Sequence, residues 1–137
     1  MEYIKHIKNK KWIKWRYSIS VPFIYGMIIP LVLFDISTEI YHNICFRLYG
    51  IPLVKRSRYI KIDRHKLKYL SWYDKINCAY CGYGNGLMNY TQTIAARTEK
   101  YWCGIKHKKD DNFVEPKHHL KFANYDDEEE LKEKFNY

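Results

Sequence analysis

From Tyr17 to Phe34 the chain reads YSISVPFIYGMIIPLVLF, eighteen residues without a charged side chain. As a helix this stretch extends about 27 Å, close to the hydrocarbon thickness of a bilayer. A cleaved signal peptide would be followed by small residues, but Asp35 and Glu39 stand there, so the segment is expected to remain in the mature chain. Pro30 lies inside it, behind Pro22 and Gly26, which argues against an unbroken straight span. A second apolar length, IYHNICFRLYGIPLV, follows at once, and together the two suggest a membrane hairpin over residues 17–54.

The flanking charge points the same way. Residues 1–16 carry six Lys and Arg, and residues 47–68 carry eight. Both flanks favour the cytoplasmic face, which a hairpin satisfies and a single span does not. The alternatives are a single span with one disfavoured flank, and a soluble protein that buries an apolar helix. Residues 1–16, with Ile4, Ile7, Trp12, Ile13 and Trp15 among the lysines, read as a basic amphipathic arm lying on the headgroups, or else as a solvated arm. The expected location is the inner, cytoplasmic membrane with the remaining chain in the cytoplasm.

The 137 residues suffice for one ordinary domain, and an aromatic content of 18% is that of a chain that folds. The net charge of +9 is uneven: from Asp110 onward nine acids face four bases, a balance of −5 that leaves +14 on residues 1–109. Such a basic body seeks anionic lipid headgroups or nucleic acid, and the acidic tail can shield part of it.

Residues 55–76, KRSRYIKIDRHKLKYLSWYDKI, interleave bases with aromatic and aliphatic side chains. Ile60 and Ile62 alternate with Lys61 and Asp63 as in a short strand, and helical spacing follows with Asp63 as a cap. The segment reads equally as a surface resting on headgroups and as a half-buried strand and helix. Gly82, Gly84 and Gly86 predict a turn; LMNYTQTIAARTEKYW predicts a helix with Leu87, Tyr90, Ile94 and Tyr101 near one face. Residues 106–116 read as loop, and residues 124–137 as a short acidic terminal helix.

Three of the four cysteines fall at metal-ligand spacing, which implies a reducing compartment. Cys78-Ala-Tyr-Cys81-Gly82 can present two thiolates from a tight turn, and Cys103-Gly-Ile-Lys-His107 adds a thiolate and an imidazole at i, i+4. Cys78, Cys81, Cys103 and His107 thus form a candidate tetrahedral site, zinc before iron, with His118 or His119 as replacements for the fourth ligand. Four protein ligands leave no position for water, so the role would be structural. A redox dithiol at Cys78 and Cys81 is the competitor, and Cys45 reads as a small buried hydrophobe.

Over residues 76–107 the arrangement resembles Cys3His zinc-knuckle modules of treble-clef and zinc-ribbon type, and it is similar to small bacterial membrane proteins of no named family that carry a CxYCG element. The resemblance implies a metal and no activity. The expected fold is mainly α: a membrane-associated helical hairpin, a small metal-stapled α+β cytoplasmic part over residues 55–123, and the terminal helix.

Asp35, Glu39 and His42 fall at i, i+4, i+7, and Glu39-x-x-His42 is the spacing by which di-iron bundles present two ligands. Such a centre needs four carboxylates and two histidines, and the only other Glu-x-x-His, Glu115 to His118, contains Pro116 in an apparent loop, although a homodimer would supply two copies of the first. The favoured reading is an interfacial polar stripe pairing with Arg47 and nearby lysines. No catalytic triad, phosphate loop or dinucleotide fingerprint is present. The sequence therefore points first to a non-catalytic membrane-associated zinc protein, an adaptor or accessory subunit with a protein partner. A membrane metalloenzyme or iron redox protein comes second, and a nucleic-acid-binding zinc protein third.

Overall fold

The structure, a computed structural model, describes residues 11–135, with side chains from Trp15 onward except that of Tyr17. Most of the basic arm at residues 1–16 and the last two residues of the terminal helix lie outside the described residues. The described chain is mainly helical: α1 (Lys11–Gly26), α2 (Ile28–Leu48), α3 (Trp72–Trp102) and α4 (Glu128–Phe135), with short 3-10 turns at Arg56–Arg58, Arg64–Lys66 and Lys117–Lys121. It divides into two compact units, Met1–Tyr41 and His42–Tyr137.

In the first unit the hairpin expected at Pro30 does not form. The Met27 amide donates to the Phe23 carbonyl at 3.3 Å and the Leu31 amide to the Met27 carbonyl at 3.2 Å, so the hydrogen-bond ladder carries across the junction of α1 and α2. Pro30 donates nothing to this ladder, yet the Leu31 bond directly after it is kept. The outcome is one apolar helix, Ser18–Leu48, 31 residues long with a mean hydropathy of 2.0 in its most apolar window. Phe23, Ile29, Leu33 and Ile36 are exposed along it, and no protein core covers that window.

The second unit is built on α3. Ser71 caps it, its Oγ accepting from the Asp74 amide at 3.3 Å while donating to Asp74 Oδ2 at 2.7 Å. The predicted turn at Gly82–Gly86 is instead the middle of this helix. The glycines serve close approach: a Cβ at Gly86 would lie 2.6 Å from the Tyr59 carbonyl oxygen and 2.9 Å from Ile60 Cα, and one at Gly82 would lie 3.1 Å from the Lys61 carbonyl oxygen. Four residues apart, they share a face, and the strap at residues 59–61 runs backbone-to-backbone across it. No strand forms among the described residues; an isolated parallel bridge, Ile105 with Ala123, is all the β pairing they contain. Asp63 stands before a 3-10 turn and makes no side-chain cap.

The core of this unit is Phe46, Val54, Leu87, Tyr90, Ile94, Phe122 and Ala123. Leu87, Tyr90 and Ile94 are the face the helical spacing predicts, whereas Tyr101 stays half exposed. His42 joins this core at 2% exposure. Its Nε2 accepts from the Val54 amide at 2.9 Å and its Nδ1 lies 3.1 Å from Tyr90 Oη. The polar stripe on α2 therefore ends in a buried hydrogen-bonding post that ties α2, the following loop and α3 together.

Candidate metal centre

The cysteine site drawn from the sequence is not assembled. Cys78 and Cys81 sit inside α3, and Cys103 caps its far end. Twenty-five residues of helix separate Cys78 from Cys103 by about 37 Å, far beyond what one ion can bridge. The helix runs on through Gly82–Gly86, where a knuckle would need a turn, with Gly82 and Gly86 facing the backbone of residues 59–61. Cys78 is half-buried, Cys81 and Cys103 are exposed, and Cys45 is half-buried rather than enclosed.

The fourth residue of that set, His107, does join a cluster. The Cys103 and Gly104 amides both donate to the Glu99 carbonyl, at 2.8 and 3.2 Å, and close the last turn of α3. Gly104, at φ +66°, then turns the chain back, a conformation that favours glycine. The returning segment is held by two bonds: Ala123 donates to the Gly104 carbonyl at 2.8 Å and Lys106 donates to the Ala123 carbonyl at 2.9 Å. This brings His107 beside the 3-10 turn Lys117–Lys121, which carries His118 and His119, and both face the end of α3 that carries Glu99.

Ligand atoms of Glu99, His107 and His119 all lie within 4.8 Å of one another. His119 Nε2 is 3.0 Å from Glu99 Oε1, and His118 Nε2 is 2.8 Å from Glu99 Oε2. His119 is 2% exposed, with its ring stacked on Phe122 at 4.9 Å and 25°. Its Nδ1 is buried without a hydrogen-bond partner. A buried polar atom left unpaired costs on the order of 1–3 kcal/mol, a cost that a bound ligand would relieve. The His107 ring lies 5.5 Å from that of His119 and edge-on to Phe113 at 5.2 Å. Burial pulls the Glu99 carboxyl upward, but hydrogen bonds and charge from His118 and His119 outweigh it and hold the group below the ordinary carboxylate range.

Two imidazoles and one carboxylate can hold a metal ion. His118, on the second oxygen of Glu99, can orient that carboxylate without being needed as a ligand. An open cavity of about 500 Å³ adjoins His107, with Lys106, Lys108, Lys109, Phe113 and Tyr125 on its walls. Among the described residues no comparable group forms around Asp35, Glu39 and His42. Sequence reasoning missed Glu99 altogether, because it lies within an ordinary helical run with no motif spacing to His107 or His119. Only the doubled histidine after Pro116 could have drawn attention to this end of the molecule.

Comparison of the chain with protein-family models, curated proteins and solved structures finds no match.

Proposed function

We propose that this chain is a membrane-anchored metal-binding protein whose ion is held by Glu99, His107 and His119. The observation that carries the reading is the grouping of ligand atoms of Glu99, His107 and His119 within 4.8 Å of one another, with His119 buried against the Glu99 carboxylate. Such a set of nitrogen and oxygen donors suits zinc first and ferrous iron second. The apolar helix Ser18–Leu48 supports a single span, and its exposed aliphatic surface is what lipid would cover. The eight bases on residues 47–68, against six on residues 1–16, favour the cytoplasmic side for the metal-binding unit. Lys55, Arg58, Lys61 and Lys66 are exposed there for contact with anionic headgroups.

Elemental analysis of the full chain purified in detergent tests the centre. Wild type and Cys81→Ser should carry about one equivalent of metal, while Glu99→Gln and His119→Ala should carry little. If Cys81→Ser loses the metal and Glu99→Gln keeps it, the cysteine site is right and this one is wrong.

A second reading, a membrane metalloenzyme, is favoured by one specific feature. Three protein ligands leave a coordination position for water or substrate, and the lysine-lined cavity lies against His107. The class of substrate it suits is a small anion. Turnover lost in Lys108→Gln/Lys109→Gln with metal content intact would support it over a purely structural ion.

A further inference from the structure

A second concave surface lies on the same unit and shares no lining residue with the histidine cluster. It is an open groove of about 570 Å³, lined by Tyr49, Pro52, Arg97, Lys100, Tyr101 and Phe135 among others, and its surface is mostly apolar. We propose that this groove binds one anionic phospholipid, the phosphodiester between Arg97 and Lys100 and the first methylenes against Tyr101 and Phe135. The proposal rests on the membrane anchor argued above and is independent of the metal.

Continuity with the apolar helix is the first argument. Leu48, the last residue of that helix, is 76% exposed, and Tyr49 begins the groove at the next position. The chain thus passes from the apolar helix straight into the groove wall. The aromatic composition is the second. Tyr49 stacks on Tyr101 at 5.2 Å and 18°, and Trp102, 59% exposed, meets both rings edge-on at 5.3 and 5.2 Å. A half-exposed cluster of two tyrosines and a tryptophan is costly in water and suited to the bilayer interface.

Charge is the third. Arg97 and Lys100 are one helical turn apart on α3 and border the same groove. Arg97 Nη1 donates to the Pro52 carbonyl at 2.6 Å, which fixes the guanidinium at the groove wall with most of its five donors still uncommitted to that bond. Two cations over an apolar floor complement an anionic amphiphile better than a zwitterionic lipid or a free anion, which would use only half of the surface. A bound peptide or a second copy of the chain is the competing occupant, and it would not discriminate between headgroups.

The test uses the full chain extracted from membranes, with the lipids it retains counted by native mass spectrometry in equimolar phosphatidylglycerol and phosphatidylcholine. Wild type should retain one phosphatidylglycerol in roughly tenfold preference. Lys100→Gln, which keeps the Arg97 bond to Pro52, should lower that preference several-fold, and Arg97→Gln/Lys100→Gln should abolish it. Lys108→Gln/Lys109→Gln, which removes equal charge elsewhere, should leave it unchanged. Equal retention of both lipids by wild type, an unchanged preference in the double groove variant, or an equal loss in the distal variant would each overturn the site. Alkaline extraction separates this from failure of the anchor. A chain released into the aqueous phase refutes anchor and lipid site together, whereas one that stays in the membrane without headgroup preference refutes the lipid site alone.

Discussion

His42 and Tyr90, 48 positions apart in sequence, meet in the interior with Nδ1 3.1 Å from Oη. The direction of that bond follows from its neighbour. The Val54 amide can only donate, so His42 Nε2 accepts, and a neutral imidazole then carries its proton on Nδ1 and donates to the tyrosine. The ring also makes T-shaped contacts with Phe46 at 4.7 Å and with Tyr90 at 5.7 Å, and both its nitrogens are engaged.

Removing this post should loosen the whole second unit. Tyr90→Phe keeps the ring and removes the hydroxyl that faces Nδ1, at an expected cost of about 1–3 kcal/mol. His42→Ala strands the Val54 amide as well and opens a cavity, so it should cost more. Denaturant unfolding followed by tryptophan fluorescence reads both. Equal stability of Tyr90→Phe and wild type would mean that the bond contributes nothing.

The strap over α3 gives a graded prediction. Gly86→Ala forces a methyl to 2.6 Å from a backbone oxygen that cannot rotate away, and Gly82→Ala to 3.1 Å. The gain in helix propensity, up to about 1 kcal/mol, should be outweighed at Gly86 and roughly cancelled at Gly82. Proteolysis between residues 55 and 70 should accelerate in Gly86→Ala and change little in Gly82→Ala. Both variants resisting as wild type does would mean the strap is not packed there.

These two contacts also explain what could be read from the sequence. The uncharged stretch, the helix through Leu87, Tyr90 and Ile94 and the acidic terminal helix are local patterns; the later half of α3 and α4 lie within the stretches the spacing marks, although α3 already begins at Trp72. The glycines were misread because a turn and a close backbone approach leave the same mark, and only the position of residues 59–61 separates them. That misreading placed Cys78 and Cys81 on a knuckle. Glu99 was invisible for the opposite reason: its partners lie 19 and 20 residues downstream and are brought to it by a glycine turn and one isolated bridge, neither of which has a periodicity.

Acid should release α4. The Glu130 carboxyl is held below its ordinary value of 4.5 first by the hydrogen bond from Lys134, then by the Asn124 amide. With the folded value depressed, the stabilisation is present above the unfolded value and is lost as pH falls through the folded one. Hydrogen exchange in residues 128–135 should therefore rise as pH drops below about 4.5, after correction for intrinsic rates. Glu130→Gln should show fast exchange already at neutral pH and little further change. Exchange that still follows pH in Glu130→Gln would assign the effect to another carboxylate, such as Asp127, which accepts from the Glu130 amide at 2.9 Å.

A single span has a topological consequence. Reporters fused at the N-terminus and after Lys75 should map to opposite sides of the membrane, with the second in the cytoplasm. Both on one side would restore the hairpin and require the ladder through Met27 and Leu31 to break in lipid.

His118 offers the sharpest test of how the metal centre is organised. It contacts Glu99 Oε2 at 2.8 Å, while His119 contacts Oε1, so the two imidazoles hold the two oxygens of one carboxylate. If His119 and Glu99 are ligands and His118 only orients the carboxylate, the three substitutions must differ in kind. His119→Ala removes a donor and should abolish stoichiometric binding. His118→Ala leaves three donors and should keep one equivalent of metal at saturating concentration, with affinity lowered about 10–100-fold as for other outer partners of metal ligands. His118→Asn can still donate to Glu99 and should recover part of that loss. Competition titration with a chromophoric chelator measures each affinity on the detergent-solubilised chain. Loss of stoichiometric binding in His118→Ala, with His119→Ala merely weakened, would exchange the roles of the two histidines.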